Sequence, residues 1–148
     1  MLLPLDDNIF KKGFCKGNFE VTIDHGPRFW LPAAMVGTVE EHKVAEILLF
    51  PDPSGRRLIL CPDKYRDIYV EHVKKLFPAG IEAGKSYRKF ICTGDSIPVR
   101  RHIRVSIKTK FNKDLDIRQG QTVVIIGVGN WYEIWRQDDW EGGNDDKC

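Results

Sequence analysis

An arginine at position 28 recurs at position 104, and the apolar run Ile47-Leu-Leu-Phe50 recurs as Val123-Val-Ile-Ile126, both 76 residues further on. Two segments of different character that share one offset argue for an internal duplication. A duplicated chain of 148 residues has room for one ordinary domain, or for two small units that share a core, and none for a large multidomain enzyme. The remaining sequence can be read in that light, one half against the other.

Within the first half, Phe19-Glu-Val-Thr-Ile-Asp24 alternates and predicts a strand, Asp24-His-Gly-Pro27 supplies turn chemistry, and Arg28-Phe-Trp-Leu31 resumes as a short strand stopped by Pro32. A helical stretch near 33–44 follows. The runs 47–50 and 57–61, separated by Asp52-Pro-Ser-Gly55, predict a hairpin, and Ile68, Val70, Val73 and Phe77 space an amphipathic helix over 63–77. The second half repeats this order. Strand-like residues 97–101 lead through His102 into 104–107, then come a short helix near 108–115, a turn at Arg118-Gln-Gly120, strands over 122–126 and 131–135, and a helical stub over 137–141. The reading is mainly β with short helices, an α+β chain built from two pseudo-symmetric units.

Charge is distributed less evenly than the formal net of +2 suggests. Between Lys85 and Lys113 nine basic residues face Asp95 alone, whereas beyond Arg136 five acids face Lys147. A concentrated positive field attracts polyanions even on a nearly neutral molecule. Arg100, Arg101, His102 and Arg104 lie inside this block on strand-like sequence, which points to a nucleic-acid surface more than to the solvated flank of a helix. The acidic end is of the opposite sign, and on that ground it is expected to compete with DNA for the basic face.

Other patterns carry less chemistry. Gly80-Ile-Glu-Ala-Gly84-Lys85-Ser86 resembles a phosphate-binding loop but has three residues between its glycines where four are needed, and it reads as a linker. Gly127-Val-Gly129 lacks the third glycine of a dinucleotide fingerprint and reads as a hairpin turn. His25, His42, His72 and His102 fall in four different elements without ligand-pair spacing, so no metal is expected. The four cysteines lie at least 31 residues apart, which fits reduced thiols. No serine or cysteine sits on a recognisable elbow, and the paired acids Asp138-Asp139 lie in the acidic end; no active site, cofactor or small-molecule substrate is expected. The longest apolar run, 123–128, is far too short to span a membrane, and a cytoplasmic location is the expectation.

The string Val128-Gly-Asn-Trp-Tyr-Glu-Ile-Trp135-Arg-Gln-Asp-Asp-Trp140 resembles the end of MraZ proteins, whose pattern is GVG(N)xxEIWxxxxW. Thr22-Ile-Asp24-His-Gly-Pro-Arg28-Phe-Trp-Leu31-Pro32 is similar to that family's TIDxKGRxxLP segment, with its Asp-x-x-x-Arg core intact. The likeness spans about residues 17–141. It implies tandem AbrB-like swapped-hairpin β-barrel units, here 17–80 and 86–141 with an acidic tail over 142–148. It also implies a ring-like homo-oligomer that binds double-stranded promoter DNA, associates with the nucleoid and regulates the division and cell wall gene cluster.

On that resemblance the expected DNA-binding residues are Arg28, Arg104, Arg100, Arg101 and His102, with Asp24 orienting Arg28. Arginine suits the role because its planar fork can grip guanine bidentately or sit between phosphates. Two departures bear on it. The family's Lys-Gly in the first turn is Gly26-Pro27, which removes a charge and alters the turn. In the second unit Arg100 stands in the aspartate's place, so Arg104 is expected to be free of the acid that would orient it. The competing expectation is a non-catalytic architectural or protein-interaction ring that has lost sequence-specific recognition. Trp131, Trp135 and Trp140 are expected in the core or at a subunit interface.

Overall fold

The computed structural model describes residues 13–53, 56–76, 94–112 and 115–140. The phosphate-loop-like segment, the boundary expected between 80 and 86 and the acidic tail all lie outside the described residues.

Each half opens with a strand and a short second strand: β1 (Asn18–Thr22) and β2 (Arg28–Trp30), then β5 (Asp95–Pro98) and β6 (Arg104–Ser106). A helix follows each, α1 (Ala33–Glu41) and the single-turn α3 (Thr109–Asn112). Hairpins come next, β3 (Glu46–Pro51) with β4 (Leu58–Pro62), and β7 (Thr122–Gly127) with β8 (Tyr132–Arg136). The expected helix over 63–77 begins as a 3-10 turn, Asp63–Tyr65, after Pro62 and becomes α2 (Arg66–Lys74). Its counterpart is the stub α4 over 137–140.

Strands β1-β7-β8-β4-β3-β5 form one antiparallel sheet, and β2 pairs β6 in a separate ribbon. Replacing every strand by its equivalent in the other half reverses this order and leaves it unchanged. The opening strand of each half pairs with the other half's hairpin, β1 with β7 and β5 with β3. The halves are therefore interleaved. In the ribbon, Phe29 faces Val105, its own counterpart 76 residues on, so a pseudo-two-fold axis passes through that pair. At the ribbon's ends Leu31 N–H donates to the Ile103 carbonyl at 2.9 Å and Ile107 N–H to the Pro27 carbonyl at 3.0 Å, two bonds that the same symmetry exchanges.

Core positions repeat at the same interval. Phe29 and Val105, Leu31 and Ile107, Met35 and Phe111, Val39 and Leu115, Ile47 and Val123, Leu49 and Ile125 are all buried in one cluster. Alternation sends Leu58 and Leu60 of β4 into this cluster, beneath the ribbon and α1. Ile59 and Cys61 face the other way, into a smaller cluster with Phe50, Tyr69, Val73 and Trp131 under α2. Trp131 and Trp135 are buried, and the Trp135 and Trp140 rings meet edge to face at 5.5 Å, so these tryptophans anchor packing as expected.

The expectation of barrels needs correction. Among the described residues the strands make an open sheet and a ribbon, with β1 and β5 as outer strands, each paired on one side. Each half gives its first strand to the other half's hairpin, which lengthens one shared sheet at both ends.

Candidate nucleic-acid interface

The ribbon's register determines its outward face. Phe29 and Val105 point into the core, so their neighbours Arg28, Trp30, Arg104 and Ser106 point away from it. Arg28 lies opposite Ser106 and Trp30 opposite Arg104, which puts the two arginines on a diagonal. Turn 25–27 flanks one end, and the exposed Arg100, Arg101 and His102 flank the other.

The first turn is closed by a backbone bridge in which Asp24 N–H donates to the Arg28 carbonyl at 2.7 Å. Gly26 makes the turn possible: its φ is +130°, and a Cβ there would come within 2.7 Å of Arg28 Nε. The side chain of Arg28 folds back over the turn, where Nε donates to the His25 carbonyl at 3.0 Å. The Gly26-Pro27 departure thus shapes how Arg28 is presented.

Asp24 does not hold Arg28 through its carboxylate. Arg104 Nη2 donates to Asp24 Oδ1 at 3.0 Å, an ion pair that joins residues 80 positions apart. This corrects two expectations, that Asp24 orients the Arg28 side chain and that Arg104 is free of an orienting acid. The physical reason is the crossing of the ribbon: the turn that precedes β2 lies beside β6, so the acid of one half reaches the arginine of the other. The Arg104 guanidinium also lies over the Trp30 ring, its carbon 5.0 Å from the ring centroid, and its Nε is buried without a hydrogen-bond partner. Trp30 itself is 52% exposed. Sequence reasoning passed over Trp30, although a position two residues from Arg28 in an alternating strand shares its face.

Further along, Asp95 receives Lys108 and Lys110, each at 3.1 Å. Burial pushes the Asp95 carboxyl up, but hydrogen bonds and charge from Lys110 and Lys108 outweigh it and hold the group below its ordinary value. Part of the basic block is therefore neutralised internally, while Arg28, Arg100 and Arg101 keep their charge outward. On either side of the ribbon lies a cleft between a turn of one half and the helix of the other. One is lined by Gly26, Pro27, Ile107 and Thr109, the other by Trp30, Val36, Arg101 and His102. Among the described residues no group of three or more His, Cys, Asp or Glu is arranged to hold a metal ion, and no helix is long and apolar enough to cross a membrane.

No family model matches the chain. It is 25% identical over 126 residues to the transcriptional regulator MraZ of Oenococcus oeni, an overlap of 84% of this chain and 82% of that one. To the transcriptional regulator MraZ of a Marinomonas species it is 23% identical over 131 residues, 88% and 85% of the two chains. Both overlaps cover more than four-fifths of each chain, so the similarity to transcriptional regulators MraZ runs along most of the sequence and takes in the motifs at both of its ends.

Proposed function

We propose that the chain is a DNA-binding transcriptional regulator whose reading surface is the outward face of the β2–β6 ribbon. The observation that carries this is the diagonal of Arg28 and Arg104 on a two-stranded ribbon, with Arg100, Arg101 and His102 at its end. A two-stranded ribbon fits the major groove, and arginine is the side chain that pairs bidentately with guanine there. Arg100 and Arg101 supply sequence-independent phosphate contacts. The regulator acts as a ring-like homo-oligomer on promoter DNA of the division and cell wall gene cluster, in the cytoplasm and on the nucleoid, without cofactor or catalysis. The outer strands β1 and β5, whose far edges find no strand within the described residues, supply edges on which copies can associate. Repeated ribbons around such a ring add weak contacts through effective concentration.

The test is binding of the full chain to duplex DNA from upstream of its own gene and to a scrambled duplex, at about 50 and 200 mM salt, where phosphate-only binding falls steeply. Preference for the promoter that survives the higher salt is expected. Equal binding to both duplexes that vanishes with salt would leave phosphate attraction alone, and absence of binding would favour a protein-interaction ring.

A further inference from the structure

Two equivalent positions on the ribbon carry very different side chains. Opposite Arg104 stands Trp30, and opposite Arg28 stands Ser106. Arginine is costly to order because its long side chain samples many rotamers, and reading a base edge requires one of them. Arg104 is confined before any ligand arrives: the Asp24 carboxylate takes Nη2 at 3.0 Å, and the indole of Trp30 lies 5.0 Å from the guanidinium carbon. An ion pair alone fixes a distance and leaves the plane free to swing. An aromatic face fixes the plane.

From this we infer that Trp30 is a positioning residue for base recognition, holding the Arg104 guanidinium in the plane that the groove requires, so that this half of the ribbon sets the sequence preference. The inference rests on the DNA-binding reading above. Three features support it. Trp30 is 52% exposed where most apolar side chains are buried, so packing alone does not account for it. The Arg104 Nε is covered while the remaining Nη donors keep no other protein partner among the described residues, which directs the guanidinium outward. Ser106, at the equivalent place in the other half, cannot stack on Arg28, so the effect is confined to one side.

The experiment compares wild type, Trp30→Ala and Trp30→Phe, each alone and combined with Arg104→Ala, for binding to the promoter duplex and the scrambled duplex. Trp30→Ala is expected to lower the promoter preference about tenfold, within the range for one bidentate contact, with affinity for the scrambled duplex changed less than about twofold. Trp30→Phe should restore most of the preference, and in the Arg104→Ala background Trp30→Ala should add nothing. A second readout needs no DNA: the Arg104 side-chain protons should resonate upfield in the wild type through the indole ring current and return towards ordinary values in Trp30→Ala. Unchanged preference, equal loss on both duplexes, or a further loss in the Arg104→Ala background would each overturn the inference, as would Arg104 protons without a ring-current shift. A wild type with no promoter preference would instead overturn the DNA reading, and the ring-current result would then decide the Trp30 stack by itself.

Discussion

Arg28 and Arg104 sit at equivalent places on one ribbon, 76 residues apart, and their surroundings differ in every respect that matters for recognition. Arg104 is gripped by a carboxylate and an aromatic ring, both contributed by the other half. Arg28 makes one neutral hydrogen bond to its own turn and lies opposite a serine, and the position that corresponds to Asp24 is occupied by Arg100. The backbone has kept its symmetry while the side chains have not. After a duplication the shared core restrains both copies, because a change at the axis disturbs both halves, whereas outward positions are free to diverge. The expected result is a division of labour, with Arg104 reading bases and Arg28, Arg100 and Arg101 holding phosphate.

The largest effect should fall on the axis, where one side chain packs against both halves. Phe29→Ala empties a side chain that is 1% exposed and should destabilise the fold by about 3–5 kcal/mol, measured by urea denaturation, with both arginines affected together. Next, Arg104→Ala should lower the promoter preference about 10- to 100-fold, the span of one bidentate base contact. Arg28→Ala should instead weaken both duplexes alike, by less than about tenfold, with a shallower salt dependence. If the two variants exchange these behaviours, the assignment of roles is reversed. A smaller change is expected from Arg100→Asp, which gives the first arginine an acid like Asp24: weaker binding at low salt together with a preference sharpened several-fold.

The smallest effect concerns Asp95, whose two lysines have no counterpart in the first half, where Pro32 and Ala34 stand at the equivalent positions. Its carboxyl is held below the ordinary value, so the stabilisation is present above the unfolded carboxyl value near 4 and is lost as pH falls through the lower native one. Asp95→Asn should cost less than about 1 kcal/mol near neutral pH. Thermal melts of variant and wild type should converge in acid.

Much of this architecture could be read from the sequence because a repeat doubles the signal. The alternation at 19–24 and the apolar runs at 47–50 and 123–126 each place a strand, and the shared offset relates them. Pairing was not legible. That β1 joins β7 rather than its own hairpin is a contact over a hundred residues long, and local pattern is the same for either partner. The Asp24 carboxylate illustrates the same limit on the scale of one side chain: four residues separate it from Arg28 along the chain, yet the ribbon brings Arg104 to it from 80 residues away. Trp30 was visible as a position on the arginine face, but its role depends on what lies across the strand.

Hydrogen exchange of the full chain, with and without promoter duplex, locates the reading surface most directly. Slowed exchange is expected over 24–30 and 100–106, the ribbon and its flanking turns, with little change in α2 and in the centre of the six-stranded sheet. Slowed exchange over α2 and the β3–β4 hairpin, with the ribbon unaffected, would contradict the assignment of the ribbon as the DNA surface.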